Sequence, residues 1–286
     1  MPLVSSKEIL KDAYDHHYAI GAFAGHNLEM IKAIVSAAEE LDSPVIIQTT
    51  PGTINYLGIG FAASMVKEAA EQVRIPVSLH LDHGDSFRCV NQCLRNGYTS
   101  IMVDGSSLGY EENITLTKKV VEVCHDVGVP VEAELGTIGG VEDGLDVDMA
   151  DVQFTDPDIA EEFVIRTGID FLAPAFGTAH GIYKSEPKLD FSRLKAISDL
   201  VRLPLVMHGA SGLSKEHLQK AVQLGVSKVN FSTELKKSFV HELRNYLSYH
   251  SGEEDPRKYF VSARESVKRI VKSKISTLQS SPQSVV

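Results

Sequence analysis

I-P-V-S-L-H-L-D-H-G-D, residues 75–85, is the stretch from which the fold can be read. Behind Pro76 it begins as an apolar, β-branched run, the pattern of a strand buried on both faces in a parallel sheet. It then places His80, Asp82, His83 and Asp85 within six residues. In βα-repeat proteins the carboxyl ends of the strands are where binding and catalytic side chains gather, so these titratable residues mark a candidate site. Asp82 and His83 point to opposite sides of an ideal strand. For both to serve one site the strand must already be turning, and Gly84 is the residue expected to permit the turn. The competing reading is a helix start, in which Asp85 or Ser86 caps the next helix and His83 is simply exposed.

The same unit recurs on both sides of this stretch. Upstream, a helix around 5–16 precedes a strand at 18–24. Asn27 then caps a helix whose apolar face is Leu28, Ile31, Ile34, Val35 and Ala38. A strand at 44–49 leads through the turn T-P-G-T to a helix near 60–73. The strand at 76–81 is followed by a helix at 86–96, the strand at 99–104 by a helix over 111–127, and the strand at 129–135 by a long loop, 136–155, and a helix at 157–167. The strand at 169–176 precedes a helix from Phe191, and the strand at 203–208 precedes the helix S-K-E-H-L-Q-K-A-V-Q-L. The strand at 226–231 runs into a helix over 233–247. Eight short apolar strands, each followed by a helical segment, predict an α/β fold, a closed (β/α)8 TIM barrel. An open doubly wound sheet is the alternative, but no G-x-G-x-x-G follows the first strand. D-P-R-K-Y-F (255–260) opens an extra C-terminal helix, and the Ser/Gln-rich tail from about 276 is expected to be disordered. No linker divides the chain, so residues 1–286 are expected to form one domain.

Bulk composition fits that reading. At 286 residues, with 43% hydrophobic and 23% charged positions, the chain can bury a large core without resembling a membrane or disordered protein. There is no long apolar run, and M-P-L-V-S-S-K-E lacks the features of a secretory signal, so a cytoplasmic location is expected. A net charge of −10 argues against general nucleic-acid or anionic-membrane binding. Cys89, Cys93 and Cys124 are too few for a disulfide framework and read as reduced, structural thiols.

If the barrel is right, strand order maps one face. The third strand ends in Asp82 and His83, the fourth in Asp104, the fifth in Glu132 and Glu134, the sixth just before His180, the seventh in His208 and the eighth at Asn230. His83, His180 and His208 are each followed by glycine. Three imidazoles converging without cysteine suit a divalent, zinc-type ion with an open coordination position. Glu134 is either a further ligand or an anchor behind the ligands. The plainer reading is that these are core histidines; His16, His17, His26, His125, His217, His241 and His250 fall on helices or helix ends and read as solvated. G-T-A-H-G (177–181), H-G-A-S-G (208–212) and N-F-S-T (230–233) offer backbone N–H groups near helix starts, a phosphate-binding arrangement in this fold. Lys184 can add positive charge there or sit on the surface. L-G-T-I-G-G-V-E-D-G-L-D (135–146) has the composition of a mobile segment that closes over a barrel mouth and delivers Glu142 or Asp143, or of a solvated loop.

Several stretches together resemble one family, the class II, metal-dependent ketose-bisphosphate aldolases. They are H-L-D-H, V-E-A-E-L-G-x-x-G-G-V-E-D, G-T-A-H-G-x-Y, P-L-V-x-H-G-A-S-G and K-V-N-x-x-T-E. The likeness is to the branch of tagatose-1,6-bisphosphate and short fructose-1,6-bisphosphate aldolases, and it runs from A-F-x-x-H-N near residue 22 to D-P-R near 255. It implies one Zn2+ per subunit on His83, His180 and His208, with Glu134 holding an alternative metal position. It implies Asp82 as the acid/base at the aldehyde oxygen and Glu142 as the acid/base at the carbanion carbon. Gly181, Gly209, Ala210, Ser211, Asn230, Phe231, Ser232 and Thr233 match positions around the ketose 1-phosphate. Arg257, in a D-P-R element with Asp255, matches a position reaching the distal phosphate. A monovalent cation, Na+ or K+, near the phosphate loops is a further family expectation. So is a homodimer or homotetramer, and an accessory aldolase subunit accompanies some tagatose-type members. Where the family usually reads A-F-N, this chain has Ala22-Phe23-Ala24, so one amide near the substrate is missing. The resemblance implies reversible cleavage of a ketose 1,6-bisphosphate into dihydroxyacetone phosphate and glyceraldehyde 3-phosphate. The alternatives are an aldolase using dihydroxyacetone phosphate with a different aldehyde, or a non-catalytic partner subunit.

Overall fold

The computed structural model describes residues 2–142, 145–147, 152–181, 183 and 185–279, with the main chain alone for 141, 142 and 145–147. Eight parallel strands close into a barrel: β1 (Ile20–Ala24), β2 (Val45–Thr49), β3 (Val77–Gly84), β4 (Ser100–Val103), β5 (Val131–Leu135), β8 (Phe171–Pro174), β10 (Leu205–Met207) and β11 (Val226–Phe231). β1 closes the ring by pairing with both β2 and β11. These runs form strands because every residue in most of them is buried, against helices outside and against one another inside.

The outer layer is α2 (Leu28–Glu40), α3 (Pro51–Leu57), α4 (Ile59–Glu71), α5 (Phe87–Arg95), α6 (Tyr110–Asp126), α7 (Pro157–Thr167), α8 (Phe191–Val201), α9 (Lys215–Gln223) and α10 (Thr233–Tyr249). Local chemistry sets many of the starts: Asn27, Thr50, Ser86, Asp156, Asp190 and Ser214 each accept a main-chain N–H of the first turn. Ser86 thus caps α5 as one reading expected, while His83 three residues earlier still belongs to the site.

At the amino end of the barrel, α1 (Ser6–Asp15) seals the floor. Its Ile9, Leu10 and Ala13 pack on the inward-facing Ile20, Ala22, Ile46, Phe171, Ala173 and Val206. With the floor closed, a ligand can reach the interior only from the carboxyl end.

Four sequence expectations are corrected. T-P-G-T is not a turn: Thr50 caps and Pro51 opens α3, because proline suits the first helical position. The segment after β5 is not irregular throughout, since β6 (Gly139–Glu142) and β7 (Leu145–Val147) form an antiparallel hairpin. The expected tail begins too early. The C-terminal helix α11 (Pro256–Leu278) continues through Leu278, with Val267, Val271, Ile275 and Leu278 buried, and residues 280–286 lie outside the described residues. Finally, His26 is not solvated but half-buried, with Nδ1 2.7 Å from the Thr53 hydroxyl.

Candidate active site

Asp82 and His83 reach the same side by the turn their neighbourhood requires, though not through Gly84. His83 itself takes the left-handed conformation, φ +49°, and the pairing of β3 with β4 slips between Leu81 and Gly84. Gly84 serves close packing instead: a Cβ there would lie 2.5 Å from the Met102 carbonyl oxygen. A non-glycine residue at positive φ is costly, and such strain is concentrated at functional sites.

The second histidine, His180, sits on a short strand, β9 (Ala179–His180), which pairs in parallel with β6, Gly140 opposite His180. Gly140 (φ +99°) tolerates no side chain, since a Cβ would fall 2.1 Å from the His180 carbonyl oxygen. On the other side Gly209 (φ +64°) presses on Ala179, where a Cβ would come within 2.6 Å of its carbonyl. Tyr183 joins the two loops, its hydroxyl accepting from the Ala179 N–H (2.9 Å) and donating to the Gly209 carbonyl (2.7 Å). The third histidine, His208, follows β10 directly and is buried.

One nitrogen from each of His83, His180 and His208 lies within 4.8 Å of the others, and the rings stand nearly perpendicular to one another, with centroids 4.8–6.0 Å apart. Carboxylates anchor two of the rings from behind. His83 Nδ1 is 2.7 Å from Asp104 Oδ2, and His208 Nε2 is 2.9 Å from Glu132 Oε1. The anchored nitrogens carry the protons, which leaves lone pairs on His83 Nε2 and His208 Nδ1, only 3.1 Å apart. Two lone pairs at that distance repel unless a cation or proton lies between them. Glu134 makes the same demand. It is buried, its Oε2 accepts no hydrogen bond among the described residues, and burial, with Asp104 adding to it, pushes its carboxyl well above the ordinary range. Neutral nitrogens with carboxylate anchors and one unmet carboxylate fit a zinc-type ion, and the half-exposed His83 and His180 leave one side open. The described residues also form a second, overlapping group around His83, Asp104 and Glu134.

Electrostatics keeps the anchors ionised. Burial alone would raise both Glu132 and Asp104, but Lys228 and His208 hold Glu132, and His83 with Ser106 holds Asp104, well below the usual carboxylate range. Burial lowers His208, partly offset by Glu132, which keeps its ring neutral and able to donate a lone pair.

Asp82, 1% exposed, lies beside the cluster in an amide clamp. Asn230 Nδ2 donates to Oδ1 (3.1 Å) and Gln48 Nε2 to Oδ2 (2.8 Å). Both oxygens are therefore oriented. Gln48 escaped the sequence reading, although its position was legible: two residues after inward-facing Ile46, at the carboxyl end of β2, it must face the mouth. It pairs in register with Ala24, the position lacking the family's amide.

A cavity beside the histidines is lined by Gln48, His180, Gly181, Gly209, Ala210, Ser211, Asn230, Ser232 and Thr233. Ser232 heads α10 without spending its hydroxyl on a cap, so the helix's first N–H groups and that hydroxyl can serve an anion. Two expected residues stand apart. The Phe231 ring turns outward to stack on Phe23 at 5.4 Å, as strand alternation requires once Asn230 faces in, so only its main chain belongs to this lip. Arg257 does not line the cavity; it is exposed at the start of α11 and paired with Asp255. The Glu142 side chain and Lys184 lie outside the described residues; the Glu142 main chain ends β6, the strand alongside His180.

A barrel whose mouth gathers histidine donors from three strand ends beside an anion-binding lip defines a candidate metal-dependent enzyme of phosphorylated substrates. The family described as "Fructose-bisphosphate aldolase class-II" matches residues 4–283. The chain is similar to the solved YdjI aldolase of Escherichia coli K12, at 35% identity over 98% of both chains with a TM-score of 0.86. It is similar to a putative fructose-1,6-bisphosphate aldolase from Coccidioides immitis, at 34% identity over 96% of both chains with a TM-score of 0.88. A fructose-bisphosphate aldolase from Campylobacter jejuni matches at 25% identity over 98% of this chain and 96% of that one, with a TM-score of 0.82. The chain belongs to the class II fructose-bisphosphate aldolase family, and it is a lyase. Among the described residues no helix is long and apolar enough to cross a membrane.

Proposed function

We propose that the protein reversibly cleaves a ketose 1,6-bisphosphate, tagatose or fructose, into dihydroxyacetone phosphate and glyceraldehyde 3-phosphate. The observation that carries this reading is the oriented Asp82 carboxylate beside the three-histidine cluster and the phosphate-type lip. His83, His180 and His208 would hold Zn2+, with Glu134 offering an alternative metal position, and the bound ion would supply positive charge where negative charge develops as the C3–C4 bond breaks.

The chain's own groups do the rest. Asp82, held by Gln48 and Asn230, takes the C4 hydroxyl proton as the aldehyde departs. Glu142 returns a proton at C3. Gly181, Gly209, Ala210, Ser211, Asn230, Ser232, Thr233 and the main chain of Phe231 receive the 1-phosphate, with Lys184 adding charge, and Arg257 reaches the distal phosphate from another subunit. Two separate acid/base groups let each half-reaction have its own proton carrier.

A second reading keeps the dihydroxyacetone phosphate half and changes the aldehyde. Ala24 favours it, since a methyl group replaces an amide at the mouth. A coupled assay of the zinc-loaded chain on both bisphosphates, before and after EDTA, tests the proposal. Chelator-sensitive cleavage of one epimer is expected. Cleavage unchanged by complete chelation would overturn it, and zinc-bound protein inert on both sugars would favour the second reading.

A further inference from the structure

Beneath the site the barrel interior carries charge that the reaction does not use. Lys228 on β11 and Glu132 on β5 are essentially inaccessible, and Lys228 Nζ donates to Glu132 Oε2 at 2.8 Å. Lys228 does not line the cavity, so it touches neither substrate nor reacting atoms. Its second contact is His80 Nε2, at 3.2 Å. An ammonium only donates, so Nε2 accepts and the His80 proton sits on Nδ1, 2.7 Å from Ser100 Oγ. Ser100 accepts in turn from Ser6 Oγ, 2.7 Å away on the floor helix α1. A continuous polar strut thus rises from the barrel floor through Ser6, Ser100, His80 and Lys228 to Glu132.

A buried ion pair of this kind is weak evidence for stability, because desolvating two charges offsets their attraction, and apolar residues of similar volume often do as well. What an apolar pair could not do is finish the strut. Glu132 spends one oxygen on Lys228 and the other on His208 Nε2. His208 Nε2 also lies 3.3 Å from Asn230 Nδ2, but the shorter contact with the Glu132 carboxylate, which can only accept, keeps the proton on Nε2.

We propose that Lys228 is a positioning residue for the metal centre: through Glu132 it fixes the orientation of the His208 ring, so that Nδ1 faces the ion. The inference rests on the reading of His83, His180 and His208 as the metal ligands. Partners standing behind ligating histidines are typically worth about 10–100-fold in metal affinity, and Lys228 acts one bond further back.

The test measures the zinc affinity of the purified full chain by competition with a chromophoric chelator, together with the visible spectrum of the cobalt(II) form. Lys228→Met keeps the length of the side chain and removes the charge. It is expected to bind zinc roughly 10-fold more weakly and to shift the cobalt bands, while the unpaired Glu132 lowers the melting point of the metal-free protein. Should the unpaired Glu132 prevent folding, Lys228→Gln removes the charge but keeps an N–H for Glu132, leaves the Glu132 contact with His208 in place, and is expected to show a loss in the same direction. Parent-like zinc affinity, within twofold, and superimposable cobalt bands in the folded variant would overturn the role of Lys228 alone. Parent protein that binds zinc no better than His208→Ala would overturn the ligand reading itself, and the proposal with it.

Discussion

His83 occupies a conformation that costs a non-glycine residue energy, and the slipped pairing around it is what brings Asp82 and His83 to one mouth. Asp82 is then oriented by the amides of Gln48 and Asn230, one on each carboxylate oxygen. Asp82→Asn is nearly isosteric but cannot take up a proton. Its kcat is expected to fall by roughly 10²–10⁴, with bound zinc, measured by elemental analysis, unchanged. Loss of the metal along with activity would instead place Asp82 among the groups that hold the ion. Both strand-end residues were legible in the sequence because strand period and fold rule out most other placements. Gln48 was equally constrained by that period, but an uncharged amide after V-I-I carries no chemical flag. Lys228 reads as an ordinary charge in V-S-K-V-N-F; strand period puts it on the face of Asn230, but only the closed barrel shows it buried against Glu132.

At the scale of elements, the barrel strands were readable because burial on both faces leaves unbroken apolar runs. The β6–β7 hairpin was not, because glycine and acidic residues mask strand propensity, and what makes a strand of β6 is its distant partner β9. That pairing ties the hairpin to a metal-ligand candidate. Gly140→Ala should therefore displace the His180 main chain, lowering zinc affinity in the chelator-competition assay far more than it lowers the melting point of the metal-free protein. A second junction lies on the barrel's amino side. Asp170 accepts from Lys7 (2.8 Å), His125 (2.8 Å) and the Val131 N–H (2.9 Å), joining α1, α6 and β5. Burial would raise its carboxyl, but these donors hold it below its ordinary value. A carboxyl lowered in the folded state contributes stability that is present above its unfolded pKa, about 3.9, and is lost as pH falls through the folded value. Asp170→Asn is expected to cost about 1–3 kcal/mol between pH 5 and 7, most of it from the half-satisfied Val131 and His125 groups, because the exposed Lys7 pair is worth little. Urea melts from pH 7 to pH 3 should show the gap closing below about pH 4; a gap constant across that range would mean that the carboxylate charge contributes nothing.

Across the whole molecule, the candidate ligands come from strands far apart in sequence, β3, β9 and β10, with Glu134 from β5. An ion held between them ties separate parts of the barrel rim together, and an unfolded chain has no such constellation. Zinc should therefore stabilise the native state by mass action. Free ion at 100 times the dissociation constant gives about 2.7 kcal/mol, less whatever the unfolded histidines bind. For a domain of this size that corresponds to a rise of roughly 4–5 °C in melting point. Thermal scans with EDTA and with increasing zinc should show the melting point rising steadily with the logarithm of free zinc, and His208→Ala should flatten that rise without unfolding the barrel floor, which α1 secures independently. A melting point indifferent to zinc in the parent would show that the three imidazoles are packing residues, and it would remove the ground for assigning a metal-dependent reaction to this mouth.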